Sequence, residues 1–149
     1  MSHATAETIW PPNAPPPIER FVAEFFSLLD AETPEAARKW AQLYVTDGEF
    51  ICGPTSTCTG HEEISQNRIK FWAAFPGLRH RVKTVYFQQP DGRDLICITR
   101  FKVKFRNGSV HEQDTAANFQ FVEEAGRLLL KKVELYMDPT MLAAGAARF

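Results

Sequence analysis

His80 leads the side chains that could do chemistry in this 149-residue chain. It stands in His80-Arg81-Val82-Lys83-Thr84, where a period of two places it on one strand face with Val82 and Thr84. An imidazole on that face titrates near neutral pH and can give or take a proton. The competing reading is a core histidine whose ring is satisfied by a Gln or Tyr neighbour. Cys52 has no evident base beside it and reads as small apolar wall rather than nucleophile. Asp47 precedes Gly48 at a helix-to-strand turn, where a carboxylate commonly bonds local backbone amides. Glu62 and Glu63 fit the first turn of a helix, where the dipole favours carboxylates. No metal spacing links His61 and His111. The three cysteines, Cys52, Cys58 and Cys97, are odd in number and lack metal spacing, so neither a metal site nor a disulfide framework is expected. There is no Gly-rich phosphate loop and no nucleophile elbow, and no cofactor is expected.

These residues must be positioned by the elements around them. Residues 1–9 are small and polar and read as a loose tail. Trp10 to Pro17 follows as a proline-rich arm, which reads as a strap across the domain rather than a partner-recruiting motif. Ile18, Phe21, Val22, Phe25, Leu28 and Leu29 keep helical spacing and predict a helix over 18–30. Thr33 and Pro34 supply an N-cap and a first helical residue for a second helix running to about Tyr44. A short strand through Phe50 and a Gly/Pro/Thr-rich corner come next. Thr59-Gly60 then opens a third helix, with Ile64, Phe71, Trp72 and Phe75 on one side and Pro76-Gly77 at its end.

From Arg79 onward the pattern alternates, predicting long strands joined by hairpins. The turn Gln89-Pro90-Asp91-Gly92 closes on Gln88 and Arg93. A three-residue loop, Arg106-Asn107-Gly108 with Gly108 left-handed, pairs Lys102 with Glu112 and Arg100 with Asp114, so opposite charges meet on the outer face. A last strand runs from Leu128 to Asp138. With these registers the inner face collects His80, Val82, Thr84, Tyr86, Leu95, Cys97, Thr99, Phe101, Gln113, Thr115, Ala117, Phe119 and Phe121. The three helices must cover that face.

Bulk composition agrees with one globular domain, at 44% hydrophobic and 23% charged residues. Twelve Phe and three Trp are many for this length, and aromatic side chains are common lining for small-molecule pockets. A net charge of -1 leaves no electrostatic footprint for nucleic acid or an anionic membrane, so neither is expected as a partner. No apolar run is long enough for a membrane span and the first residues carry no signal-peptide pattern, so a cytoplasmic protein is expected.

Helix, helix, short strand, helix and curved antiparallel sheet is an order that resembles the nuclear-transport-factor-two-like superfamily, and its SnoaL-like branch in particular. The residues that carry the resemblance are Tyr44 to Phe50, Thr59-Gly60-His61-Glu62-Glu63-Ile64, Phe71-Trp72 with Phe75-Pro76, Leu78-Arg79-His80, and Phe119-Gln120-Phe121 before Gly126. It implies an α+β, cystatin-like cone over 18–138, with three N-terminal helices packed on the sheet around a pocket. Residues 1–17 are then tail and arm, and 139–149 a C-terminal tail. It also implies a homodimer formed through the outer sheet face. The superfamily includes ketosteroid isomerases, scytalone dehydratase, polyketide cyclases and non-catalytic binding modules. Carried over by position, the three functional groups of the ketosteroid isomerases fall on Phe25, Cys52 and Ala117, so that machinery is missing. Scytalone dehydratase has a histidine on the strand that holds His80. SnoaL-type cyclases carry an acid/base aspartate near Asp138, although the strand parity points Asp138 outward and a turn role before Pro139 competes.

The expected function is therefore a cofactor-independent cyclase, isomerase or dehydratase acting on a hydrophobic polyketide- or terpenoid-like molecule. His80 and Asp138 are the candidate catalytic groups. Phe25, Phe50, Cys52, Phe71, Trp72, Phe75 and Phe119 are the candidate walls, and Thr99, Gln113 and Thr115 the hydrogen-bonding groups. A non-catalytic binding or scaffold module of the same fold is the alternative.

Overall fold

The computed structural model describes residues 3–54 and 56–140. Local sequence sets its helix ends. Helix α1 spans Pro16–Asp30, with Pro16 and Pro17 at its start, and buries Ile18, Phe21, Val22, Phe25, Phe26 and Leu29. Helix α2 spans Pro34–Ala41 and is capped as predicted: the Ala36 N–H donates to Thr33 Oγ1 at 3.1 Å. It stops short of Tyr44, which opens strand β1. Helix α3 spans Gly60–Ala74; the Glu63 carboxylate reaches back from the first turn to accept the N–H of the N-cap residue Thr59 at 2.7 Å.

The strands are β1 Tyr44–Cys52, β2 Ser56–Thr59, β3 Arg79–Phe87, β4 Asp94–Lys104, β5 Val110–Glu124 and β6 Arg127–Tyr136. They form one six-stranded sheet in the order β2-β1-β6-β5-β4-β3. The three helices and this sheet make the expected α+β fold, with two differences. The corner after β1 contains a strand of its own, because Ser56 to Thr59 pairs antiparallel with Glu49 to Cys52. The sheet is mixed, since β1 runs parallel to β6. An irregularity between Tyr44 and Glu49 brings the backbone close: a Cβ on Gly48 would lie 2.9 Å from Tyr44 Cβ and 3.0 Å from the Val45 carbonyl. Only glycine fits there without a shift.

The β4–β5 hairpin has the predicted register, with Lys102 opposite Glu112 and Arg100 opposite Asp114. Phe105 N–H donates to the Ser109 carbonyl at 2.8 Å, and Gly108 is left-handed at φ 87°. The β3–β4 hairpin departs from prediction. His80 pairs with Phe101 as expected, but Phe87 pairs with Leu95 and Gln88 N–H donates to Asp94, so the loop is one residue longer. A bulge between Val82 and Thr84 absorbs the difference. Past the bulge the faces exchange: Val85 is buried and Tyr86, expected inside, is 59% exposed.

The bulged edge of β3 also has a partner. Ile9 N–H donates to the Lys83 carbonyl and Val85 N–H donates to the Ile9 carbonyl, both at 3.0 Å. Ala4 and Thr5 are buried, so this segment is packed where a loose tail was expected. An unpaired sheet edge leaves backbone groups to satisfy, and two of them on β3 are satisfied by a strap that forms at Ile9, in the segment before the Trp10–Pro17 arm where a strap was expected. Most of the expected C-terminal tail, 141–149, lies outside the described residues. No helix among the described residues is long and apolar enough to cross a membrane.

Candidate active site

The helices and the inner sheet face do not fill the space between them. They leave a cavity of about 380 Å³. Phe25, Phe26 and Leu29 of α1, Trp40 of α2, Phe50 of β1 and Phe71 and Phe75 of α3 form much of its apolar wall. This lies in the size range of small-molecule sites.

Polar groups converge at one end of the cavity, around the C-terminus of α1. His80, on β3, is 14% exposed at its side chain, and Asp30, the last residue of α1, 16%. The Asp30 carboxylate accepts twice from His80: from the backbone N–H at 3.0 Å and from ring Nδ1 at 2.6 Å. A carboxylate at a helix C-terminus opposes the dipole, and these two bonds offset that cost. An ionised carboxylate only accepts, so Nδ1 carries the ring proton. In the neutral ring the lone pair is then on Nε2, which has no hydrogen-bond partner among the described residues. The rings of Phe26 and Phe101 lie 5.5 and 6.4 Å from the imidazole, centroid to centroid.

Arg68 reaches the same helix end from α3. Its Nε and Nη2 donate to the Leu29 carbonyl at 3.1 and 2.7 Å, and its guanidinium carbon lies 5.0 Å from the centre of the Phe71 ring. Burial holds the guanidinium below its ordinary pKa, at about 10, so it is a cation at neutral pH. Thr99 also lines the cavity, and its buried hydroxyl has no hydrogen-bond partner among the described residues. The same holds for the Trp40 indole N–H. Thr115 Oγ1 is occupied by the Thr99 carbonyl at 3.3 Å. Burial, with Cys58 nearby, pushes the Cys52 thiol up, which suits a wall and not a nucleophile.

Of the residues expected at the site, His80, Phe25, Phe50, Cys52, Phe71, Phe75, Thr99 and Thr115 all line the cavity. Four others are placed elsewhere. Phe119 is fully buried behind the wall, its ring 4.7 Å from that of Phe25. Trp72 is next to Phe71 on α3, so it sits about 100° round the helix from the lining stripe. Gln113 bonds the backbone of Asp138 in both directions, at 3.2 and 3.3 Å, and the ring of His111. Asp138 is exposed, and its carboxylate accepts the Thr140 N–H at 3.0 Å, the turn role that competed in its sequence reading. The positions Phe25, Cys52 and Ala117, matched to ketosteroid isomerase groups, do face the cavity, and none carries an acid.

Asp30 and Arg68 were missed from sequence. A signal for Arg68 existed, since Ile64, Arg68, Phe71 and Phe75 follow one stripe at i, i+4, i+7 and i+11. Asp30 carries no comparable signal; it is local only in space. His61, the other histidine near α3, has a structural place, with Nε2 2.8 Å from the Tyr44 carbonyl. Among the described residues no cluster of His, Cys, Asp and Glu could hold a metal ion.

This architecture is the nuclear-transport-factor-two-like fold, with its cavity between helices and sheet. No family model matches the chain, and no curated protein matches it. Solved structures do. A hypothetical protein with a ketosteroid isomerase-like fold from Catenulispora acidiphila, in complex with trimethylamine, superposes with a TM-score of 0.70 at 14% identity, over 91% of this chain and 95% of that one. TerC, co-crystallised with polyporic acid, gives 0.68 at 14% identity, over 88% and 98%. A candidate scytalone dehydratase from Novosphingobium aromaticivorans gives 0.67 at 19% identity, over 79% of each chain. At such identities the likeness is one of fold.

Proposed function

We propose that this protein is a cofactor-independent small-molecule enzyme of the SnoaL-like type, using His80 as acid and base on a hydrophobic substrate. One observation carries this reading: a histidine lining an aromatic-walled cavity, its imidazole held through Nδ1 by a carboxylate and its Nε2 without a partner among the described residues. Such an Nε2 takes a proton from a carbon beside a carbonyl, and the C–H electrons become an enolate. The imidazolium formed is stabilised by Asp30. Returning the proton to another carbon completes an isomerisation. Giving it to a departing hydroxyl releases water in a dehydration; attack of the enolate carbon on an internal carbonyl closes a ring, and the alkoxide formed takes the proton back from Nε2. Asp138 receives no role, because its carboxylate is exposed and engaged with Thr140. The fold neighbours named for a scytalone dehydratase and for a polyporic acid complex support a flat, oxygenated substrate such as a polyketide.

The outer face of the sheet supports a homodimer. Tyr86, Ile96 and Tyr136 are exposed there: Tyr86 pairs with Ile96 across β3 and β4, and Tyr136 lies on β6, beyond the intervening β5. Sedimentation should give a dimer at micromolar concentration, and a monomer at high concentration would reject that face as an interface. The catalytic reading is tested by soaking crystals with 2-tetralone, a bicyclic ketone with acidic C–H groups. Density in the cavity, with the carbonyl or its neighbouring carbon within reach of His80 Nε2, is the expected result. A cavity that excludes the probe would overturn the reading.

A further inference from the structure

Arg68 is 7% exposed, and among the described residues no carboxylate forms an ion pair with it. Buried guanidinium groups ordinarily have a paired anion, because an uncompensated charge is costly away from water. Here the charge is held by weaker means: the Leu29 carbonyl, the negative end of α1, the face of Phe71 and the longer-range charges of Asp30 and Glu32. The Asp30 carboxylate itself is committed to His80. A guanidinium presents five N–H donors, and the Leu29 carbonyl engages only Nε and Nη2. Nη1 has no hydrogen-bond partner among the described residues, and the side chain lines the cavity. Capping α1 does not need a fork. A lysine would reach one carbonyl as well, and the unused half of the fork remains to be explained.

We propose that Arg68 is the anion-recognising residue of this cavity, and that the substrate carries an ionised carboxylate or acidic enol oxygen which Arg68 binds beside His80. This rests on the cavity being a small-molecule site, and it narrows the substrate class. Leu29 anchors Arg68 and Asp30 anchors His80, so two consecutive residues of α1 fix the cation and the imidazole relative to each other. An oxyanion on Arg68 would therefore sit at a set distance from the proton acceptor. The arrangement suits substrates whose negative charge is present before reaction or grows during it.

The test compares two probes of nearly equal shape, 2-naphthoate and its neutral amide 2-naphthamide, by calorimetry on the full chain. The wild type should bind the anion at least about tenfold more tightly, the ratio expected for a charge-assisted bond worth about 1.4 kcal/mol. R68M, which keeps an unbranched apolar stem without the donors, should lose that preference, so that the two affinities draw together. Equal affinity for the two probes in the wild type would overturn the proposal, as would a preference that survives in R68M. If R68M does not fold, the wild-type crystal complex decides. A carboxylate on the Arg68 guanidinium supports the proposal, and one turned away from it refutes it. Binding of the amide without preference for the anion would end this inference alone, whereas failure of both probes and of 2-tetralone would remove the cavity reading with it.

Discussion

The Asp30 carboxylate holds His80 at two points, the backbone N–H at 3.0 Å and ring Nδ1 at 2.6 Å. The last residue of the first helix thereby fixes both the start of β3 and the tautomer of its histidine, across 50 positions of sequence. Replacing Asp30 by Asn separates these two effects. The amide oxygen can still accept one N–H, while its NH₂ facing Nδ1 favours the tautomer protonated at Nε2. Nitrogen NMR of labelled histidine should find His80 protonated at Nδ1 in the wild type and at Nε2 in D30N. The stability loss should be about 1.5–3 kcal/mol, the range for a hydrogen bond to a charged group. The same tautomer in both proteins would contradict the assignment.

Ile9 tests the strap. The residue is 67% exposed, but its N–H donates to the Lys83 carbonyl and its carbonyl accepts from the Val85 N–H at the bulged edge of β3. I9P removes the donor and should cost about 1–3 kcal/mol in urea unfolding, with faster hydrogen exchange at the Val85 amide. I9T keeps the backbone pair and should be close to neutral. If the two variants behave alike, the strap does not stabilise the edge.

The cysteines test burial. Burial pushes the thiols of Cys52, Cys58 and Cys97 up, Cys97 most of all. A raised pKa keeps the thiol protonated, so reaction should be slow at neutral pH and quicken as pH rises or the chain unfolds. Ellman's reagent at pH 7.5 should label the native protein slowly and the urea-unfolded protein at once. Rapid labelling of the native protein would place these groups in water.

Sequence made the frame legible because its signals are local. Thr33-Pro34 marks a helix start, Arg106-Asn107-Gly108 a loop length, and Lys102 and Glu112 a register. The inner face of β3 was harder. Val82-Lys83-Thr84-Val85-Tyr86-Phe87 alternates acceptably in either phase, and only a bulge at Lys83 decides that Val85 points in and Tyr86 out. The site was half legible for a similar reason. His80 and the wall aromatics reveal themselves by type and period. Asp30 becomes functional only through a contact across 50 residues, and Arg68 reads as one more surface cation until its side chain is seen to reach the Leu29 carbonyl at the end of α1. Trp72 shows the reverse error, an aromatic assigned to the wall by its chemistry although its helical phase points it elsewhere.

Proton transfer at His80 is the central step, and hydrogen–deuterium exchange at the acidic carbons of 2-tetralone in D₂O measures it without knowledge of the natural substrate. The wild type should accelerate exchange over buffer. H80Q, which keeps a polar side chain but no base, should return it to the buffer rate, and D30N should lower it by about 10- to 100-fold, as for an orienting residue. Exchange by H80Q at the wild-type rate would contradict the assignment, and so would a wild type no faster than buffer.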